Sequence, residues 1–299
     1  MASIKEMKWA ITGGSGQLAR SIADLLESQG IYHHAWSRSE IDISKPEELK
    51  KIVTFQPTVI VNCAAWTNVD GADSHFEEAL AINRDGAKNV ALTAKELDIS
   101  LIHISTDYVF SGSSTRPWRI EDYTGPTTKY GESKLLGEFQ ILGIWPEKSS
   151  ILRTAWLYGP YGKNFAKTIL KRAITTNDII EVVHDQRGQP TSTSDLGVRI
   201  FECASIGIPY DIYHATNSGE ATWWEFAREI VMLGGESVHR VIPVTSERFP
   251  SKAKRPAYSV LDHSSWSKVG LKPMRDWREA LREVFPSIQS EVEKELSND

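Results

Sequence analysis

Short apolar runs alternate with amphipathic stretches along the chain, most regularly in its first half. Trp9-Ala10-Ile11-Thr12, Tyr32 to Trp36, Pro57 to Ala65 and Leu101-Ile102-His103-Ile104 are short, apolar and rich in β-branched residues, which predicts buried strands, and Ile151 to Gly159 reads as a strand and then a turn. Between them a helical pattern runs through Leu26, and another begins at Lys45-Pro46, where proline suits a first helical turn. A third helix is predicted over about Phe76 to Leu97, with Leu80, Ala87, Val90, Ala91 and Ala94 on one face and Asn83 read as a surface residue.

After Gly159 the alternation loosens. Helices are predicted over Asn164 to Thr176, Asp195 to Ala204 and Trp223 to Leu233, and strands over Ile179 to Val183 and Ile212 to Ala215. Repeated strand-helix units followed by mixed elements predict an α/β fold, a doubly wound parallel sheet of the Rossmann type with a smaller, partly interleaved α/β lobe. No internal repeat or low-complexity tract interrupts it.

Composition narrows the class. With 299 residues the chain can bury a full core, and 24% charged and 40% hydrophobic residues are ordinary for a soluble protein. A net charge of -5 argues against broad nucleic-acid binding. The apolar runs are too short to span a membrane, and Met1 to Lys8 is charged with no apolar segment and cleavage site after it. Cys63 and Cys203 lie far apart without metal-ligand spacing, so two reduced thiols and a cytoplasmic protein are expected.

The polar chemistry gathers at strand ends. Gly13-Gly14-Ser15-Gly16-Gln17-Leu18-Ala19 joins the first strand to the first helix, and a glycine loop there presents N–H groups and a helix N-terminus to a pyrophosphate. Ser37-Arg38 follows the second strand, where an NAD site carries an acid; an Arg there pairs with a 2′-phosphate, which favours NADPH with NADH possible, the alternative being a solvated charge. Asp42 caps the following turn or contacts adenine. Small residues after the third strand let the backbone approach a cofactor, and Thr67, Val69 and Asp70 continue along the same edge. Ser105-Thr106-Asp107-Tyr108-Val109-Phe110 ends the fourth strand, and Tyr130-Gly131-Glu132-Ser133-Lys134 places a phenol and an ammonium four residues apart, on one helix face. A carbonyl accepting hydride becomes an alkoxide that needs a proton: Tyr130 would donate it, Lys134 would lower the phenol's pKa, and Thr106 would hydrogen-bond the carbonyl oxygen. Trp156, at a strand end, is placed to pack on a sugar or base. Ser192, Ser194, Asp195 and His214 lack the nucleophile elbow of a hydrolase. These motifs divide the chain into a dinucleotide-binding domain, residues 1–165 with about 190–220, and a substrate lobe, about 166–189 with 221–299.

With those motifs in place, the chain resembles the extended short-chain dehydrogenase/reductases and, within them, the dTDP-4-dehydrorhamnose reductase family. The likeness continues through Val61 to Asp70, Asn164-Phe165-Ala166-Lys167-Thr168, Asp185 to Thr191 and Arg255-Pro256-Ala257-Tyr258-Ser259. The resemblance implies that Thr106, Tyr130 and Lys134 are catalytic, and that Gly13, Gly16, Gln17 and Leu18 hold the pyrophosphate. It further implies that Asp42, Ile43, Ala64 and Ala65 line the dinucleotide, with Lys134 also on the nicotinamide ribose, and that Thr67, Val69, Tyr108 and Trp156 touch substrate. Ala19 stands where a third glycine is usual, and Cys63 and Trp66 vary the strand-end run. Arg20-Ser21 stands where some relatives carry acidic groups linked to a divalent cation, so no metal is expected. The implied reaction is reduction by NADPH of the C4 carbonyl of dTDP-4-dehydro-L-rhamnose to dTDP-L-rhamnose, by a monomer or a homodimer. Two alternatives stay open: a nucleotide-sugar dehydratase or epimerase, which would want a carboxylate where Tyr108 stands, and a dinucleotide-binding regulatory subunit without catalysis.

Overall fold

At the centre lies a six-stranded, wholly parallel sheet: β1 (Trp9–Thr12), β2 (His33–Trp36), β3 (Val59–Asn62), β4 (Ser100–Thr106), β5 (Ser149–Thr154) and β6 (Ile212–His214), in the spatial order β6-β5-β4-β3-β1-β2. The computed structural model describes residues 6–298, so the first five residues of the charged N-terminal stretch lie outside it. Both faces of the sheet are covered, which is why its strands read as continuous apolar runs. Trp9 and Ile11 of β1 turn to one face and pack with Leu18, Ile22 and Leu26 of α1 (Gln17–Ser28), while Ala10 turns to the other, with Val90, Ala91 and Ala94 of α2 (Ala87–Glu96).

The remaining long helices are α3 (Lys129–Ile144), α4 (Phe165–Thr175), α5 (Thr193–Ile206), α6 (Trp223–Leu233) and α7 (Trp277–Ser297). Leu196 and Ile200 of α5 join α1 on the first face, and Ile141 of α3 joins α2 on the second. A separate apolar cluster gathers Leu170 of α4, Phe226 and Ile230 of α6 and Leu281 and Ile288 of α7 around the parallel pair Ile180–Val183 and Val241–Val244. Among the described residues, no helix is long and apolar enough to cross a membrane.

Most predicted elements stand with ends moved by a residue or two. Asn164 is not the first helical residue but the cap of α4, its Oδ1 accepting from Lys167 N at 3.1 Å, and α5 begins at Thr193 rather than Asp195. The predicted helix over 76–97 is not uniform: Phe76–Leu80 is α, Ala81–Gly86 is a π-turn and α2 follows. That π-turn contains Asn83, which is 1% exposed, so the surface reading of Asn83 is wrong. Its side chain is turned inward and fully used, a common reason for a π-bulge near a functional site.

Candidate active site

The order of the sheet reverses between β1 and β3, and a crevice opens beyond the carboxyl ends of the strands there. The crevice has a volume of about 580 Å³. The loop after β1 passes hard against the chain leaving β3. Gly13 has φ +72°, and a Cβ there would lie 2.8 Å from Ala64 Cα, so both conformation and closeness demand glycine. Gly16 leads into α1 with no side-chain cap, and α1 has no acidic residue in its first turn, so its leading N–H groups face the crevice uncompensated. Such a cradle fits the pyrophosphate of a dinucleotide.

At the end of β2, the Arg38 side chain is 71% exposed and its Nε lies 3.6 Å from the Asp42 carboxylate. Asp42 also accepts from the N–H and hydroxyl of Ser44 at 3.0 and 2.7 Å. Partial burial pushes its carboxyl upward but is outweighed by Ser44 and Arg38, and it stays below its ordinary value. Glu40, the acid of this loop, is turned onto the N–H and hydroxyl of Ser37 at 2.8 and 2.7 Å. The exposed guanidinium thus stands at the edge of the crevice with Asp42 as its neighbour and Glu40 turned away.

The centre is built where β4 ends. Thr106 accepts from Tyr108 N at 3.2 Å and donates to Asp107 Oδ1 at 2.9 Å, holding a tight turn that aims Tyr108 at the crevice. Thr128 caps α3 by accepting from Gly131 N at 3.0 Å. A Cβ on Gly131 would lie 2.2 Å from Tyr108 O, and the glycine lets the helix start press against that turn. The rings of Tyr108 and Tyr130 consequently meet edge to face, 5.5 Å apart. Burial pushes the Tyr130 phenol up to about 12, with the nearby Thr106 hydroxyl pulling the other way. Burial pulls Lys134 down to about 8, opposed by the charge of Glu138. Burial also pushes the Asp107 carboxyl up to about 6, against the pull of the neighbouring Ser259 and Thr106 hydroxyls.

One expectation about this pair fails. Lys134 Nζ donates to Ile104 O at 2.6 Å and faces His103 Nε2 at 3.3 Å, so the head of the side chain is held by β4 rather than by the phenol. Sharing a helix face puts the two side chains in one crevice without making them partners.

Nearly all the residues singled out for the site reach this one crevice, Asp70 excepted: Gly13, Gly16, Gln17 and Leu18, then Arg38, Asp42 and Ile43, then Ala64 and Ala65 after β3. Thr67, Val69, Thr106, Tyr108, Tyr130, Lys134 and Trp156 complete that set. Trp156 sits differently from its expected pose: at φ +46° it lays its ring on Trp223, centroids 3.6 Å apart and 8° from parallel, so one face is already taken. Other contributors escaped the sequence reading. Asn83 accepts from Trp66 N at 2.9 Å and donates to Trp66 O and to Ser133 Oγ, tying the loop after β3 to the helix that carries Lys134. Arg255 grips Asp70 through two bonds of 3.2 and 2.8 Å, tying a distant stretch of the chain to the segment after β3. Nothing local marks these two pairs. Cys63 also lines the crevice, its thiol pushed up to about 12 by burial and so neutral.

Known proteins agree with this architecture. The sequence profile of the RmlD substrate binding domain matches residues 7–290. A dTDP-4-dehydrorhamnose reductase of Streptomyces griseus is 42% identical over 96% of each chain, and a dTDP-4-keto-6-deoxy-D-glucose reductase of Streptomyces niveus is 39% identical over 95% of this chain and 98% of its own. Among solved structures, the dTDP-4-dehydrorhamnose reductase of Bacillus anthracis in complex with NADP superposes with a TM-score of 0.89 at 35% identity, covering 93% of this chain and 98% of that one. By a family match along nearly its whole length and relatives of this closeness, the chain belongs to the RmlD substrate binding domain family and, within it, stands with the dTDP-4-dehydrorhamnose reductases.

Proposed function

We propose that the chain reduces the C4 carbonyl of dTDP-4-dehydro-L-rhamnose to dTDP-L-rhamnose, with NADPH as hydride source. The observation that carries the reading is that Thr106, Tyr130 and Lys134 meet in the same crevice as the glycine loop. The residues present fit a dinucleotide: Gly13, Gly16, Gln17 and Leu18 at the pyrophosphate, Asp42, Ile43, Ala64 and Ala65 along its length. Bound there, NADPH supplies the hydride. Tyr130, kept protonated by burial, gives its proton to the oxygen that becomes an alkoxide. Thr106 hydrogen-bonds that oxygen, Lys134 holds the nicotinamide ribose, and Thr67, Val69, Tyr108 and Trp156 surround the sugar nucleotide. Tyr108 supports reduction over dehydration, because it gives that position no carboxylate for removing a proton.

The division into a dinucleotide domain and a substrate lobe, a cytoplasmic setting and a homodimer are parts of the same proposal. Separate apolar clusters on the sheet and around α4, α6 and α7 support the division.

NADPH oxidation is the direct test, run on dTDP-4-dehydro-L-rhamnose and on dTDP-4-keto-6-deoxy-D-glucose, with NADH in parallel. Faster turnover of the first substrate is expected, and no oxidation with either would leave only the binding role. Arg38 supplies a second check. Its guanidinium is exposed beside Asp42, so Arg38→Ala is expected to raise KM for NADPH by about 10-fold and leave that for NADH nearly unchanged. Equal loss with both cofactors would mean that Arg38 does not meet the 2′-phosphate.

A further inference from the structure

The lateral register of the sheet puts three polar side chains in a row. Thr12, Asn62 and His103 are Cα partners across β1, β3 and β4, and they are 1%, 1% and 0% exposed. Polar groups in such a place cost several kcal/mol unless each is met. They meet one another: Thr12 Oγ1 donates to Asn62 Oδ1 at 2.6 Å, Asn62 Nδ2 donates to His103 Nδ1 at 3.0 Å, and His103 Nε2 lies 3.3 Å from Lys134 Nζ. The row therefore ends on a residue of the crevice.

Its direction has a chemical consequence. Thr12 Oγ1 accepts from Ala64 N at 3.4 Å and gives its own proton to Asn62 Oδ1, which leaves Nδ2 of the amide facing the ring. His103 Nδ1 then accepts, and the proton of a neutral imidazole lies on Nε2, pointing at Lys134. An ammonium has no lone pair to receive it, whereas a neutral amine has one and can still donate to Ile104 O at 2.6 Å.

We propose that Thr12, Asn62 and His103 form a hydrogen-bonded row whose direction sets the charge of Lys134. In one direction His103 carries its proton on Nε2 and Lys134 is a neutral amine. In the other the Asn62 amide is turned over, His103 carries its proton on Nδ1 and donates to Oδ1, and Nε2 accepts from the Lys134 ammonium. One proton from solvent separates the two states; the ring holds one proton in both.

The surroundings leave His103 as the adjustable partner. Facing Lys134 are His103 from β4, Cys63 from the end of β3 and Glu138 from its own helix. The Cys63 thiol is neutral, and Glu138 is engaged by Arg153 at 2.7 Å. Burial and the nearby Lys134 hold the imidazole well below its ordinary value, so it changes tautomer rather than charge. Thr12, Asn62 and His103 are positioning residues: they act through Lys134 and do not themselves line the crevice.

The test is a nitrogen-15 histidine spectrum of the full chain, in which the His103 signals among eight histidines are found by their loss in His103→Gln. From about pH 6 to pH 9 the ring is expected to stay neutral while its proton moves from Nδ1 to Nε2, with a midpoint near the value of about 8 for Lys134. Thr12→Val removes the donor that turns the amide while keeping the shape of the side chain. Loss of that bias favours the ammonium, so the midpoint is expected to rise by about one unit, the worth of one hydrogen bond. A single tautomer throughout, or a midpoint that Thr12→Val leaves in place, overturns the row. A kinetic arm rests on the reductase reading: the alkaline limb of kcat should rise with the midpoint. If the midpoint moves and that limb does not, the row stands and the hold of Lys134 on the nicotinamide ribose does not depend on its charge.

Discussion

Tyr130→Phe is expected to lower kcat by ~10²-fold or more while the Kd for NADPH changes little. The substitution keeps the ring, its edge-to-face contact with Tyr108 and the glycine-eased start of α3, and removes only the hydroxyl. That hydroxyl is the group with a proton to give beside the end of β4: burial holds the phenol near 12, so it is fully protonated at neutral pH, and the Thr106 hydroxyl stands near it. The Asp107 carboxyl, near 6, is mostly ionised at pH 7, and Lys134 is occupied by Ile104 O. Without the phenol the alkoxide must take its proton from water, and the loss falls on the chemical step rather than on binding. Cofactor fluorescence titration alongside single-turnover reduction separates the two. Near-normal turnover in a folded Tyr130→Phe protein would remove Tyr130 from the mechanism.

How far the site was legible follows the distance over which each feature is determined. The loop from Gly13 to Ala19 and the spacing of Tyr130 and Lys134 depend on neighbours within one turn, and both reach the crevice. His103 sits in an apolar run and reads as one more strand residue until β3 and β4 are set in register, when Asn62 falls beside it. The expected action of Lys134 on the phenol fails for a related reason: a helix face fixes where a lysine starts, and the far end of its chain is claimed by the carbonyl of Ile104 on another element. Trp156 finds Trp223, and Arg255 finds Asp70, across intervals that no local period encodes. Asn83 shows the opposite error, a polar residue taken for surface because its two partners, Trp66 and Ser133, lie on the loop after β3 and on α3.

Stability should respond most sharply at Glu138, one helical turn beyond Lys134 on α3. Its side chain is 1% exposed and accepts from Arg153 Nε at 3.0 Å, Arg153 Nη2 at 2.7 Å and Ser105 Oγ at 2.5 Å. Glu138→Gln keeps the volume but leaves the Arg153 guanidinium, itself 3% exposed, without a countercharge. Removing one partner of a buried pair costs roughly 3–5 kcal/mol, a large part of the ~5–15 kcal/mol that holds a domain folded. Urea denaturation should therefore show a large drop in midpoint with little change in slope. The double change Glu138→Leu with Arg153→Met should recover most of it, because two apolar residues need no countercharge. Function should not recover with it. Ser105, next to Thr106, would lose its partner on the helix, and Lys134 would lose the charge that favours its ammonium, so kcat is expected to stay depressed in the restabilised protein. A Glu138→Gln loss below about 1 kcal/mol would mean that the pair behaves like an exposed one, and full activity in the double variant would separate the ion pair from the crevice altogether.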